Sequence, residues 1–218
     1  MNKRKGTIQR WKKTVYRHGR HPCKSKTKRL KEKREIRRNR NLLRKYPWLR
    51  AVDWNWNPID TDEFTVLDDM PRGWRKCFGM LLVKDIDKAL KGREFHSEEL
   101  KEKFGALRWY FSASEDVYKD VSAVIDAYSI ISENVCIGCG QPDVGATIHG
   151  WIEPICPKCF AELQWTIPYN EAVSPRNRMA LEHRFRRYDP IIDKWKDYTV
   201  DISEYTNKVR LHWYNNRN

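Results

Sequence analysis

Two pairs of cysteines, Cys136-Ile137-Gly138-Cys139 and Cys156-Pro157-Lys158-Cys159, stand sixteen residues apart in this chain. Nothing else in the sequence limits the fold so strongly. Each C-x2-C pair curls into a knuckle that aims two thiolates at one point, and two pairs supply the four sulfurs that tetrahedral Zn²⁺ takes. Gly140 follows the first pair, where a chain turning tightly round a metal favours glycine. A redox dithiol needs only one such pair beside a βαβ pattern, and here there are two. The expectation is a closed zinc site made by Cys136, Cys139, Cys156 and Cys159. Such a site says that the region folds around metal and leaves the activity of the chain open.

Charge is spread unevenly. Of the 43 Lys and Arg, 21 lie in residues 1–50 beside two acids, Glu32 and Glu35, a surplus of 19. The other 22 bases face 27 acids, so the rest of the chain is net negative by 5. A basic arm is thus attached to a mildly acidic body. With 218 residues and ten tryptophans, that body can bury a core, either as one domain with an appendage or as two small domains. Met1-Asn2-Lys3-Arg4-Lys5-Gly6 leads into no apolar stretch of a secretory signal. The apolar run from Phe78 to Val83 is far too short to span a bilayer. A reducing cytoplasmic compartment, with no membrane partner, is expected, and Cys23 and Cys77 read as a free tail thiol and a core residue. An organelle transit peptide would be Ser-rich, whereas this arm is Lys-heavy and Ser-poor.

Residues 1–45 read as an arm that is mostly disordered or conditionally helical. A helix is plausible from Thr27 to Lys45, but Leu30, Ile36, Leu42 and Leu43 make too thin a stripe to hold it to a core. Residues 46–160 read as the zinc-binding domain and 161–218 as a C-terminal extension packed on it. Within the domain, Trp74, Phe78, Leu81, Leu82, Ile86, Ala89 and Leu90 recur at helical spacing before Gly92. Leu107–Phe111 has the bulky composition of a strand, while Ser97–Leu100 looks locally helical. Ser114 stands where it can cap a second helix, whose apolar side carries Val117, Val121, Val124, Ile125, Tyr128 and Ile131. Ser174-Pro175 predicts a short basic helix running to Arg187. Val209–Trp213 alternates as a strand does, and Tyr198–Ile202 offers a second strand candidate. The fold class that follows is α+β: a small zinc-stapled domain with a few helices and a short antiparallel sheet, preceded by a basic arm.

Three segments resemble the motifs of an uncharacterised group of small bacterial and phage proteins. Leu67–Gly79 is similar to their L-D-x-M-P-x-G-W-R-K-x-F-G stretch, and Lys101–Tyr110 to K-E-K-[FY]-G-x-L-R-W-Y. Cys136–Pro142 with Gly150–Cys156 is similar to C-I-x-C-G-x-P … G-W-I-x-P-x-C. The shared order runs from about Tyr46 to Cys159, about half of the chain. The resemblance implies a zinc-stabilised α+β unit of prokaryotic or mobile-element origin in which Lys101–Lys103 pairs as a strand. It brings no activity with it.

The arm is the best pointer to a partner. Dense Lys and Arg attract polyphosphate through counterion release. The candidate nucleic-acid contacts are Lys3, Arg4, Lys5, Arg10, Lys12, Lys13, Arg17, Lys28, Arg29, Lys33, Arg34, Arg37, Arg38 and Arg40, with Trp11 placed to stack on unpaired bases. DNA and RNA are equally open. An acidic protein, or the acidic body of the chain itself, is the alternative partner. A catalytic zinc keeps one position free, and four cysteines leave none. His149 is the one histidine between the pairs, and Asp143 and Glu153 are the acids there, too few for a nuclease cluster. The carboxylates at Asp60, Asp62, Glu63, Asp68 and Asp69 are the other candidates for metal-dependent phosphoryl transfer, although Asp68 or Asp69 before Pro71 reads more simply as a helix cap. No phosphate-binding or hydrolase motif occurs. Most tryptophans read as core, with Arg108-Trp109-Tyr110 as the first choice for an exposed base-stacking platform. The sequence therefore points to a non-enzymatic nucleic-acid-binding protein, with a protein-interaction adaptor second and a metal-dependent nuclease third.

Overall fold

Straight-chain Lys, Arg and Glu keep their rotamer freedom in a helix, and twenty residues dominated by them open the described part of the chain as α1 (Lys26–Lys45). The computed structural model describes residues 26–53, 55, 57–59, 61–144, 147–148, 151–162, 182–189 and 194–216. After α1 come a 3₁₀ turn at Pro47–Leu49 and a second at Val66–Asp69. A helical turn α2 (Arg72–Trp74) then runs through a π-helical segment (Arg75–Gly79) into α3 (Met80–Leu90). The helix ends where Lys91 and Gly92 both take positive φ.

Strands β1 (Phe95–Lys103) and β2 (Ala106–Ala113) pair antiparallel from Phe95↔Ala113 to Lys103↔Ala106, with an irregularity between Ser97 and Glu99. Helix α4 (Glu115–Ser132) follows with Ser114 at its N-cap position, although the Ser114 side chain makes no capping bond. Two-residue strands β3 (Thr147–Ile148) and β4 (Trp151–Ile152) pair between the cysteine knuckles, and α5 (Pro157–Glu162) carries the second knuckle. A third antiparallel pair, β5 (Glu182–Asp189) with β6 (Lys194–Asp201), precedes α6 (Ser203–Asn215). This is a small α+β fold, as the residue pattern predicted. Among the described residues no helix is long and apolar enough to cross a membrane.

The main core lies among α3, α4, α6 and the inner face of the β1–β2 hairpin. Trp74, Phe78, Leu82, Val83, Ile86, Leu107, Val121 and Tyr128 are buried at its centre, and α6 closes it with Val209 and Trp213. Phe78 meets both Trp74 and Tyr128, while at the other end Phe95 meets Trp48 and Trp109 edge to face and the two indoles are tilted against each other. Tyr128 donates its hydroxyl to Asp85 at 2.7 Å, and Asp85 also accepts from Lys208 at 2.7 and 2.9 Å. One carboxylate thereby ties α3, α4 and α6 together.

Several expectations need correcting. The thin apolar stripe does hold α1, because a polar residue shares the load. Asn39, only 1% exposed, donates to Glu63 O at 2.7 Å and to Asp68 Oδ2 at 2.9 Å, with Leu43 buried beside it. Ser97–Leu100 is strand, not helix, because its partner β2 completes its backbone hydrogen bonds. The predicted basic helix ending at Arg187 is not formed over its described part: Arg184, Arg186 and Arg187 belong to β5, paired residue by residue with β6. Val209–Trp213 is helix in α6 rather than strand, and the strand is β6, which contains Tyr198. Asp68 does not cap α2, whose N-cap position is Pro71; its carboxylate reaches back to Thr65 N at 2.9 Å.

Candidate metal centre

Helix α4 delivers the chain to the first knuckle through a tight turn. Gly140 N donates to Cys136 O at 2.9 Å and Cys136 N to Gln141 O at 2.8 Å, which closes Cys136–Gly140 into a loop. Gly140 lies at φ 90°, a conformation that disfavours a side chain. Ile137 N donates to Pro154 O at 2.8 Å, bringing in the extended segment that leads from β4 to the second knuckle. There Phe160 N donates to Cys156 O at 2.9 Å in the first turn of α5.

The four cysteine sulfurs lie within 4.8 Å of one another. Cys139 Sγ and Cys156 Sγ are 3.7 Å apart, far beyond a disulfide length of about 2.05 Å. A tetrahedron with metal–sulfur bonds of about 2.3 Å has edges of about 3.8 Å, so the cluster has the size of a four-thiolate cage. Backbone N–H groups point at the sulfurs, from Cys156 to Cys136 Sγ at 3.3 Å, from Cys159 to Cys156 Sγ at 3.4 Å and from Gln141 to Cys139 Sγ at 3.4 Å. Such donors stabilise the thiolate over the thiol. Burial pushes the Cys136 thiol up, yet the N–H groups of Cys139, Cys156 and Gly138 outweigh it and hold this sulfur below the ordinary cysteine value. Desolvation, reinforced by the neighbouring Cys136 sulfur, pushes Cys139 up to about 11 and raises Cys159 further. One sulfur ionises readily and then repels charge on its neighbours, a repulsion that a divalent cation at the centre removes. The donor set therefore fits a metal ion, and the four cysteines lie close enough to hold one.

Packing around the cage is close. Gly138 sits so near the second knuckle that an added Cβ would lie 3.1 Å from Cys159 Sγ. On the other side, α2 docks directly on the first knuckle. Gly73 N donates to Ile137 O at 2.8 Å, and Trp74 Nε1 donates to Val135 O at 2.7 Å. A Cβ on Gly73 would stand 2.1 Å from Cys136 O and 2.7 Å from Gly140 N. Helix α6 holds the same loop from outside through Arg210, which makes a forked contact to Asp143 at 2.7 to 3.2 Å. Cys77 is buried in the core as expected, and desolvation pushes its thiol up to about 12.

Of the predicted nucleic-acid contacts, Lys33, Arg34, Arg37, Arg38 and Arg40 stand exposed on α1, and Lys28 and Arg29 lie in its first turns. Lys3, Arg4, Lys5, Arg10, Trp11, Lys12, Lys13 and Arg17 lie outside the described residues, as do Cys23 and His149. Arg38 approaches Glu35 at 3.7 Å and Asp68 at 3.9 Å, so it partly belongs to the docking contact. Trp109 is not an exposed platform: it is buried and donates to Ser97 Oγ at 2.8 Å, whereas Tyr110 beside it is open. Among the described residues, the cysteines are the one group of His, Cys, Asp or Glu side chains that converges as metal ligands would. Asp68 is committed to Asn39, Thr65 and Arg75, and Asp62 to Arg50. Sequence reasoning missed Asn39 and Gly73. Asn39 carries no signal in an apolar pattern, while Gly73, following Pro71 in a helix that otherwise needs no glycine, was a readable hint of close approach. Compared with protein-family models, with curated proteins and with solved structures, the chain matches none.

Proposed function

We propose that the chain is a zinc-stabilised, non-enzymatic nucleic-acid-binding protein, prokaryotic or phage-encoded and cytoplasmic, whose basic arm and α1 supply most of the affinity without sequence preference. The observation that carries this reading is the attachment of α1. Asn39 and Leu43 fasten one side of a strongly basic helix to the body, leaving Lys33, Arg37, Arg40 and Arg44 at helical spacing on the exposed side. Those four cations sit on a fixed surface, which costs less ordering on binding than a free tail does. Zn²⁺ is the ion of choice for four thiolates at this spacing, and in that role it holds the knuckles together with no open position for a reacting water. Bound by Cys136, Cys139, Cys156 and Cys159, it anchors the loop on which α2 and α6 rest. The origin rests on the motif resemblance alone.

A protein-interaction adaptor is the second reading, favoured by Leu211 and Tyr214, which are 63% and 59% exposed one turn apart on α6.

Binding to single- and double-stranded DNA and RNA across a salt series tests the proposal, using the full chain, a chain beginning at Lys26, and a full chain with Lys33, Arg37, Arg40 and Arg44 replaced by Gln. Each lost phosphate contact should flatten the slope of log K against log salt by about 0.7–0.9. No affinity at low salt, or slopes unmoved by both changes, would refute it. Added Mg²⁺ or Mn²⁺ in the same assay exposes any cleavage.

A further inference from the structure

The β1–β2 hairpin turns through two residues, Phe104 and Gly105, whose φ values of 55° and 76° are both positive. A two-residue hairpin of this kind favours Asn-Gly or Asp-Gly, because a bulky side chain is strained at the first position. Phenylalanine occupies that position all the same. It packs into no core, being 60% exposed. Glu102 Oε1 accepts from Gly105 N at 2.7 Å, so the turn is held from within.

The residues around it share a character. Paired residues in an antiparallel ladder project to one side, and Glu99↔Tyr110, Lys101↔Arg108 and Lys103↔Ala106 are paired. One face of the hairpin therefore carries Lys101, Lys103, Arg108 and Tyr110, with a single acid, Glu99, which pairs with Lys101 Nζ, while Arg108 Nη1 donates to Ser129 Oγ of α4 at 2.8 Å. Tyr110 is 45% exposed, and Lys101 Nζ lies over its ring, 5.1 Å from the centroid. Lys103 Nζ lies 5.5 Å from the centroid of Phe104. Two exposed aromatic rings are each accompanied by an ammonium group, and about 14 Å separates Ala106 from Tyr110 along the strand.

We propose that this hairpin face is a stacking site for unpaired nucleotides, in which Phe104 and Tyr110 receive bases while Lys101 and Lys103 meet the phosphates. The proposal rests on the nucleic-acid reading above and adds to it a preference for single strands and the residues that give it. Aromatic rings flanked by cations on a strand surface are what a single strand needs and a duplex, with its bases stacked inside, does not. Charge complementarity favours this occupant over an apolar protein partner, since each ring has a lysine ammonium beside it, Lys101 at Tyr110 and Lys103 at Phe104. Strain kept at an exposed tip, where Asn would relieve it, is the kind of outlier that marks a working residue.

The decisive variant is Phe104→Asn in the full chain, since it removes the ring and relaxes the turn at once. Its Tm should rise by about 2–4 °C. Affinity for a short single-stranded DNA carrying one 2-aminopurine should fall between about 5-fold and about 150-fold, with loss of the stacking quench. Affinity for the same strand annealed to its complement should not change. Tyr110→Thr, which keeps a β-forming residue on the strand, should weaken the single strand in the same way. If Phe104→Asn binds single strand as the parent does, or weakens strand and duplex equally, the stacking site is wrong while nucleic-acid binding through the arm stands. If the parent chain binds neither form, both readings fall.

Discussion

Replacing Gly73 with Ala puts one methyl group where the backbone of the cysteine knuckle already is. The added Cβ would meet Cys136 O at 2.1 Å, Ile137 O at 2.6 Å and Gly140 N at 2.7 Å. All three are main-chain atoms of a loop held by its own hydrogen bonds, so no side chain can rotate away. Relief needs α2 and the knuckle to separate by about 1 Å, judged against the 3.0–3.4 Å that even tight contacts keep. That shift lengthens the Gly73 N to Ile137 O bond of 2.8 Å and the Trp74 Nε1 to Val135 O bond of 2.7 Å, both at buried groups. Overpacking costs about 1–3 kcal/mol, and a stranded buried donor about 1–3 kcal/mol. The expected loss is therefore about 2–6 kcal/mol, enough to threaten a domain of ordinary stability. Urea unfolding followed by tryptophan fluorescence measures it. Gly79→Ala is the control, because its Cβ would meet nothing closer than 3.6 Å in a helical backbone and should gain about 0.5–1 kcal/mol. A Gly73→Ala chain within about 1 kcal/mol of the parent would show that α2 does not lean on the knuckle.

Three further outcomes follow from the same contacts. Asn39→Ala strands Glu63 O and one acceptor site of Asp68, so it should cost about 2–3 kcal/mol and expose α1 to trypsin, read as faster cleavage within residues 26–45 while the body stays intact. Cys136→Ser should lose stoichiometric metal by elemental analysis and lower the unfolding midpoint, and strong chelators should do the same to the parent; a variant that keeps metal and midpoint would count against the cage. Burial, then the hydrogen bond to Asp85 and its charge, raises the Tyr128 hydroxyl far above its usual 10.0. A group raised on folding stabilises fully below its unfolded value and loses that contribution as pH climbs past it. Stability should thus fall above about pH 10, and Tyr128→Phe should flatten that fall in unfolding curves taken from pH 8 to pH 11.

The cysteine spacing and the aromatic run of β2 were legible because each signal is local. A C-x2-C knuckle brings its own geometry, and Leu107–Phe111 has a composition that only a pleated, half-buried surface suits. Helix α6 was legible too but was misread: Ile202, Tyr205, Val209 and Trp213 recur at three and four, a helical stripe longer than the short alternation inside it. Residues Arg184–Arg187 fail for another reason. Arg suits a helix by local preference, and only the pairing of β5 with β6 makes them strand. The docking of α1 depends on Asn39 reaching Glu63 and Asp68, more than twenty residues away, and no pattern along α1 announces a polar anchor.

Helix α6 sets a timetable for the whole molecule. Lys208 must find Asp85 across 123 residues, and Arg210 must find Asp143 across 67. Until residues 203–215 have left the ribosome, the core lacks Val209 and Trp213 and the outer side of the cysteine loop is bare. Loop-closure entropy makes such late, distant contacts slow to form. The core therefore cannot close fully until α6 has been made and has docked on α3 and α4.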